Sequence, residues 1–394
     1  MNFFNNLSTL QKSLAVSILS IILFISSAGA SYSVFFKTIQ GTPIADNSPL
    51  PGPSTALVED EKEPRTEECP LNGTMRTQKA RENWEKRFPL AVMIENSTEA
   101  RPQSGLSSAD IIYEAVAEGG ITRFMVIYLC NLSDVQIGPV RSARTYFLDW
   151  LSEYDGLYAH VGGANTPGPA NALGQIIKYK IKDLNQFSIG FPTFWRDYQR
   201  LGRPVATEHT MYSTTQKLWA IGAKKGWVVE NTEDQLSQWF TPWEFKNDSL
   251  ATTTDATLTS LASKAEVEFW QGKGDYSVSW SYDQTCNCYQ RANGGVAHLD
   301  LNNNQQLAAK IVVVQFQRES RANDGYEGNL HLLYKTIGSG KALIFQDGKV
   351  TEGKWEKTSR VARSKYTDLR GKEIAFNRGL IWIQTVPEGA KVSY

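Results

Sequence analysis

The apolar stretch over residues 111–131 has its clearest break at the glycine pair 119–120. Glycine adopts the positive φ angles that a tight hairpin needs, so the pattern predicts two antiparallel strands joined there. Side chains alternate between the two faces of a strand, which predicts that Glu114 and Glu118 share one face. Arg123 opens the return strand.

Other apolar patterns predict the elements around this hairpin. Aromatic and aliphatic residues at helical spacing over residues 145–154 indicate a buried helix. Ser213 and Gln216 match a capping box for a last helix that ends before Gly226. The remaining predictions are strands over residues 90–96 and 157–164 and a helix over 170–178.

Beyond residue 262 the pattern changes to short β-rich runs separated by Gly, Asn and Asp. Several runs alternate polar with apolar positions, as half-buried antiparallel strands do, and Asp347-Gly348 predicts a hairpin. Because strands and helices do not alternate regularly before residue 230, the pattern favours an α+β fold over a doubly wound sheet. We expect a mixed N-terminal domain and a β-rich C-terminal domain.

The start of the chain predicts export. Residues 13–36 carry no charge and are long enough to cross a bilayer core as a helix. We favour a retained anchor; the alternative is a signal peptide cleaved near Ala28-Gly29-Ala30. The predicted organisation is a short cytoplasmic N-terminus (1–12), the anchor (13–36), a Pro-rich disordered linker (37–86), the first domain (87–229), a second linker (230–262) and the β-rich domain (263–394).

Composition narrows the function classes. The chain has 41 Lys+Arg and 41 Asp+Glu, without the basic surplus of a duplex-binding protein, so we expect no nucleic-acid partner. Four cysteines are few for a disulfide scaffold, although an oxidising compartment permits pairing. Cys286 and Cys288 are too close in sequence for an ordinary bridge without strain. With no second Cys-x-Cys motif or nearby His, we expect neither a metal site nor a cofactor.

Several strings taken together resemble one known family. They are PLAVMIEN, RPQSGLSSADIIYEAVAEGGITRFM, IGPVRSAR, HVGGA, FWRD and IWIQTVPEG. In this order, from about residue 87 to the C-terminus, they resemble the YerB-like lipoprotein family of exported bacterial proteins with paired domains of unknown function. The resemblance implies a layered sandwich of two sheets plus helices, an envelope location and no established activity. Lipid-anchored members need a cysteine after the signal segment, whereas the first cysteine here is Cys69.

Arg141 and Arg144 are the first candidates for a site. They precede a predicted helix, where unpaired N–H groups already carry partial positive charge, so something negative should balance them. One interpretation is an ion pair with Glu114, Glu118 or Asp149. The other is an external phosphate or carboxylate held by the guanidinium groups. Ser142, between the two arginines, is a weaker candidate because it lacks the Gly-x-Ser-x-Gly context of a nucleophile.

The two strand carboxylates suggest a hydrolase as the alternative function. Glycosidases use paired carboxylates about 5–9.5 Å apart, but residues four apart on a strand are separated by about 13 Å. Glu114 or Glu118 would therefore need another acid, or assistance from His160 or His209, either of which can transfer protons near neutral pH. Arg196, in the aromatic FWRD motif, completes the candidate list as a residue of a packed cluster or of a sugar-binding face.

We therefore expect a membrane-tethered extracytoplasmic protein that binds an anionic or glycan ligand of the cell wall, or an envelope protein partner. The binding cleft would contain Glu114, Glu118, Arg123, Arg141 and Arg144. The hydrolase of cell-wall polymer is the alternative. A third interpretation places the interaction surface on the β-rich domain, and the sequence does not rank it.

Overall fold

The structure is a computed structural model that describes Ser20 and residues 62–230, 240–249, 259–326, 328 and 331–394. Apart from Ser20, the predicted membrane segment 13–36 lies outside the described residues. Within the described part of the chain, no helix is both long and apolar enough to cross a bilayer.

The described residues contain few helices, and the α-helices are short. The 3₁₀ helices are Thr98–Ala100, Leu106–Ser108, Thr207–His209 and Gly274–Tyr276. The α-helices are α1 (Gln78–Trp84), α2 (Thr145–Leu151), α3 (Ala172–Tyr179), α4 (Gln186–Ile189) and α5 (Thr215–Lys224).

Strands predominate, and they become denser after residue 259. The first part contains β1 (Glu67–Glu68), β2 (Met75–Arg76), β3 (Leu90–Glu95), β4 (Ile111–Glu118), β5 (Ile121–Tyr128), β6 (Gln136–Ile137), β7 (Leu157–His160), β8 (Lys182–Asn185), β9 (Trp195–Arg196), β10 (Met211–Thr214) and β11 (Phe245–Lys246). The second part contains β12 (Thr259–Leu261), β13 (Lys264–Val267), β14 (Val278–Asp283), β15 (Cys288–Asn293), β16 (Val296–Ala297), β17 (Leu299–Asp300), β18 (Gln305–Gln306), β19 (Ala308–Ala309), β20 (Ile311–Gln317), β21 (Glu319–Arg321), β22 (Leu332–Tyr334), β23 (Gly338–Gln346), β24 (Lys349–Lys357), β25 (Lys365–Asp368), β26 (Phe376–Asn377), β27 (Ile381–Pro387) and β28 (Val392–Ser393).

One eleven-stranded sheet contains strands from both parts of the chain. Its order is β12-β24-β23-β20-β27-β4-β5-β3-β7-β8, and β25 also pairs with β24. Strand β27 lies parallel to both β20 and β4, so the C-terminal part joins the N-terminal part at the centre of the sheet. Strands β3, β7 and β8 run in the same direction as β4, because β5 is antiparallel to both β3 and β4.

The two faces of this sheet are covered by different layers. On one face, Trp150 of α2 stacks on Tyr113 of β4 with ring centroids 5.3 Å apart. On the other face, Trp280 of the six-stranded sheet donates a hydrogen bond to Gln384 of β27 at 3.0 Å. Strands covered on both sides bury consecutive residues, as β4 and β20 do. The predicted α+β class is confirmed, and the layers are two sheets and a helix.

Local predictions agree with the structure except at the ends of elements. The hairpin turns at Gly119 and Gly120, whose φ angles are +56° and +85°. Asp347 and Gly348 also form a turn between β23 and β24, as predicted. The predicted capping residue is off by one, because the side chain of Thr214, not of Ser213, accepts the N–H of Lys217.

The predicted linkers contain ordered structure. The Pro-rich linker was expected to continue to residue 86, but α1 within it buries Ala80 and Trp84 in the hydrophobic core. The second linker includes β11, which pairs with β26, and the buried Trp243. Residues 231–239 and 250–258 of that linker lie outside the described residues.

All four cysteines are paired in disulfides. Cys69 joins Cys130, which connects the segment before α1 to the residues after β5. Cys286 joins Cys288 across a single intervening residue. A chain with two disulfides fits an oxidising compartment.

Candidate functional site

A β-bulge decides where the two strand carboxylates point. The β4–β5 register shifts between Val116 and Glu118. Thr122 and Arg123 are neighbours on β5 and face opposite sides of the sheet; Thr122 donates to Glu114, whereas Arg123 donates to Glu118. The prediction that Glu114 and Glu118 share a face is therefore wrong, because a bulge reverses the alternation.

Glu118 is shared by two arginines on the helix-covered side of the sheet. Arg123 lies 3.0 Å from Oε1 of Glu118, and Arg144, the residue that precedes α2, donates to Oε2. Burial by itself raises the pKa of Glu118, but the charges of Arg123 and Arg144 outweigh it and lower this pKa to about 2. Glu118 is thus ionised at neutral pH. Two guanidinium groups share one carboxylate, so one positive charge is left over.

Burial, followed by the repulsion from Arg144, lowers the pKa of Arg123 to about 10, so Arg123 remains a cation at neutral pH. Arg123 and Arg144 are 3% and 6% exposed, and among the described residues their Nε–H groups have no hydrogen-bond partner. A buried donor without an acceptor costs about 1–3 kcal/mol. These two residues give the site a fixed positive field.

Arg141 connects this pair to a second group of charges. Its Nε lies 2.9 Å from Oε2 of Glu95 in an ion pair, although the geometry is not that of a hydrogen bond. The other oxygen of Glu95 bonds to His209 Nδ1, and this bond raises the pKa of His209. Nε2 of His209 lies 3.4 Å from the exposed Glu99. Arg141 also lowers the pKa of Glu118, so its charge reaches both groups.

The loop over residues 141–144, here called the arginine loop, is held by backbone bonds to β3 and to the residues that follow β7. The Arg141 N–H donates to Met93 of β3, and the Val161 N–H donates back to the Arg141 carbonyl. The Ala143 N–H donates to the Gly162 carbonyl at 3.0 Å. These bonds place Arg141 and Arg144 at the edge where the parallel strands β3, β4 and β7 end.

His160 supports this loop from beneath. It is fully buried, with Nδ1 at 2.6 Å from the Gly162 carbonyl and Nε2 at 2.8 Å from Asp183. The same carbonyl accepts the Ala143 N–H, so the imidazole fixes the residue against which the arginine loop packs. A histidine with both nitrogens occupied and no exposed surface fits a positioning role better than proton transfer.

Glu114, in contrast, belongs to a closed network between the two sheets. It is fully buried and accepts four hydrogen bonds, from Thr122, Arg291, Trp382 and Gln384, at 2.9–3.0 Å. Its predicted place in the cleft is wrong, since every lone pair is used and no surface is open to a ligand. The proposed acid/base role of Glu114 in a hydrolase fails for the same reason.

The remaining candidates have different surroundings. Ser142 is half-buried in the arginine loop, and its carbonyl accepts from Arg123 at 2.9 Å. Arg196 is exposed and donates to the carbonyl of Thr207 in the turn that contains His209. Asp149 does not pair with the arginines; it accepts a hydrogen bond from Thr336 at 2.6 Å, and burial raises its pKa.

Glu95 is the functional candidate that the sequence analysis missed. It ends β3 inside the apolar string LAVMIEN and is 2% exposed. Its position as the last residue of a strand could have identified it, because the carboxyl ends of parallel strands meet at one edge of a sheet, where the other site residues lie. It was overlooked because the local pattern showed only an antiparallel hairpin, and the parallel pairing of β3 with β7 is long-range.

The one group of potential metal ligands among the described residues is Cys69, Asp110 and Cys130. Both sulfur atoms are in the disulfide and offer no thiolate. Asp110 accepts the N–H groups of Leu129 and Cys130 at 2.6 and 3.0 Å, and burial raises its pKa. These residues form a structural element beside the bridge.

Comparisons with known proteins cover both parts of the chain. Residues 74–228 match the "Protein of unknown function (DUF3048) N-terminal domain", and residues 265–383 match the corresponding C-terminal domain. The "Putative lipoprotein YerB" of Bacillus subtilis (strain 168) is 30% identical over 322 residues, which are 81% of this chain and 86% of that protein. The crystal structure of YerB from Bacillus subtilis superposes with a TM-score of 0.67 at 26% identity, over 83% of this chain and 100% of that one. The chain therefore belongs to the YerB-like family of paired DUF3048 domains, as its sequence motifs had suggested.

Proposed function

We propose that this protein is an envelope-located binding protein whose arginine loop recognises an anionic group, a phosphate or carboxylate, of a cell-wall polymer. The observation that carries the proposal is the charge balance at Glu118. Arg123 and Arg144 share this one carboxylate, and the half-exposed Arg141 extends the positive field to the surface. An anion beside Arg141 and Ser142 balances the charge that the protein itself leaves over.

The position of the loop supports the proposal. Glu95, Glu118 and His160 are the last residues of three strands that run in the same direction. In sheets with parallel strands, ligands bind outside the carboxyl ends, because loops rather than backbone pairing occupy that edge. The arginine loop is fixed by backbone hydrogen bonds to Met93, Val161 and Gly162, so little backbone freedom is lost when a ligand binds.

We further propose that the protein is held at the outer face of the membrane. The similar Bacillus subtilis protein is described as a lipoprotein. In this chain, the sulfur of the first cysteine, Cys69, is bonded to Cys130 and does not serve for lipid attachment. The uncharged segment 13–36 would act as the anchor in its place.

The proposal is tested by calorimetric titration of the full-length protein, in a mild non-ionic detergent, with inorganic phosphate and with soluble phosphate-containing wall polymer. Arg141→Gln is expected to weaken both interactions about tenfold or more, since a charge-assisted hydrogen bond contributes about 1.5–3 kcal/mol. Glu118→Gln is expected to strengthen them, because the carboxylate that competes for Arg123 and Arg144 is removed.

The matched control is Arg321→Gln, which removes the same charge from an exposed position on β21. This variant should bind as the unaltered protein does. Equal affinities for the unaltered protein, Arg141→Gln and Glu118→Gln would overturn the proposal, as would the absence of measurable binding in the unaltered protein at low ionic strength. Weaker binding at higher salt is expected, because part of the site is exposed.

A further inference from the structure

An exposed aromatic ring lies against Gly162, the residue on which the arginine loop packs. Phe187, in α4, is 76% exposed, although burial of a Phe side chain is favourable. A Cβ atom added to Gly162 would lie only 2.9 Å from Cε2 of Phe187, so the ring rests on the Gly162 backbone. Gly162 in turn accepts the N–H of Ala143, which follows Ser142 in the loop.

The position of this ring is fixed by the same residues that fix the loop. The side-chain oxygen of Asn185 accepts the N–H of Gly162 at 3.1 Å and the N–H of Phe187 at 3.2 Å. The side-chain amide of Asn185 therefore connects Gly162, which lies under the ring, to Phe187, which carries the ring. Gly162 has a φ of +57° and no side chain, which allows the ring to approach. The exposed ring and the arginine loop are thus both fixed against Gly162.

We infer that the ligand is an amphiphilic organic anion, in which a phosphate or carboxylate is attached directly to an aryl or short alkyl group. The anion pairs with Arg141, and the apolar group covers Phe187. This inference rests on the proposed function and narrows the class of ligand. The charges alone would accept any anion. A polymer phosphate without an apolar group would leave the ring of Phe187 exposed to water. The anion gives orientation and the ring gives discrimination between anions.

The test compares phenyl phosphate with inorganic phosphate by calorimetric titration of the full-length protein. Phenyl phosphate is expected to bind about tenfold more tightly, which is about 1.4 kcal/mol of ring burial. In Phe187→Ala the two probes should bind equally, at the affinity that inorganic phosphate has for the unaltered protein. Phe187→Trp should keep the preference, and unchanged melting temperatures should show that both variants are folded.

Leu261→Ala is the matched control, because it removes an apolar group that is 75% exposed on β12, at the opposite edge of the large sheet from β8. It should retain the preference for phenyl phosphate. Equal binding of both probes by the unaltered protein, or a preference that persists in Phe187→Ala, would overturn this inference and leave the anion site intact. If neither probe binds, the proposed function fails, and this inference fails with it.

Discussion

Neutralising Glu114 should destabilise the protein severely, although the substitution Glu114→Gln changes only one atom of the side chain. Glu114 and Arg291 form an ion pair of 2.9 Å in which both side chains are fully buried. Removing one partner of such a pair leaves the other charge buried and uncompensated, which costs about 3–5 kcal/mol. Arg291 has no route to water, since it lies over the rings of Trp382 and Trp280 at 4.5 and 5.4 Å.

The hydrogen-bond geometry increases the free-energy cost of the substitution Glu114→Gln. Glu114 accepts only, and its Oε2 receives Nε1 of Trp382 and Nε2 of Gln384. A glutamine would turn an NH₂ group either toward these two donors or toward Thr122 and Arg291. Gln384 cannot reverse its amide without loss, because its oxygen already accepts from Trp280 at 3.0 Å. We therefore expect a loss of about 3–5 kcal/mol in the free energy of unfolding.

The measurement is urea unfolding of the full-length protein, followed by tryptophan fluorescence, which reports on the buried Trp280 and Trp382. Glu356→Gln is the control, since it makes the same chemical change at an exposed position on β24 and should stay within about 0.5 kcal/mol of the unaltered protein. Adding Arg291→Met to Glu114→Gln should recover about 1–3 kcal/mol relative to the sum of the single effects. A loss for Glu114→Gln below about 1 kcal/mol, or full additivity, would refute the ion-pair argument.

Three further predictions concern stability. The pKa of Glu118 falls from 4.5 to about 2 on folding, so its contribution is fully present above pH 4.5 and is lost as the pH falls toward 2; it amounts to at most about 3 kcal/mol. Unfolding free energies at pH 6 and pH 3 should therefore differ less in Glu118→Gln than in the unaltered protein, and an equal difference would contradict the assignment. Replacing Cys69 and Cys130 together by Ser opens a loop with a sequence separation of 61 and should cost about 4 kcal/mol in urea unfolding; a cost below about 1 kcal/mol would count against the bridge. The ammonium of Lys357 lies 2.8 Å from the carboxylate of Glu153, and both side chains are fully buried. Lys357→Met removes the counterion of Glu153, so the midpoint of unfolding should shift by an amount equivalent to about 3–5 kcal/mol. The same substitution at the exposed Lys354 should leave the midpoint unchanged.

The parts of the fold that depend on residues close together in the sequence could be predicted from it. The hairpin turn at residues 119–120 needs only glycine, and helix α2 needs only apolar residues at helical spacing, so both were predicted. The layered arrangement of sheets and helices was expected only from the resemblance of several ordered motifs to a known family. The parallel pairing of β27 with β4 joins residues about 270 positions apart, and no local pattern encodes it.

Only part of the candidate site was predicted, because the sequence shows local patterns and not the faces on which buried side chains lie. Arg123, Arg141 and Arg144 were identified because arginines near strand and helix ends stand out in the sequence. Glu114 was misplaced, because a strand that is buried on both faces gives no sign of which face holds the carboxylate. The bulge before Glu118 adds one residue to the strand and reverses the side on which that residue lies, and alternation alone does not reveal it.

The central place of β27 has a consequence for how the chain reaches its final form. Residues 381–387 lie between β20 and β4, yet they follow both of these strands in the chain. Until they arrive, two long and apolar strand edges have no partner, and such edges readily pair with other chains. A polypeptide truncated before residue 381 would therefore lose the strand that joins its two halves and be prone to self-association.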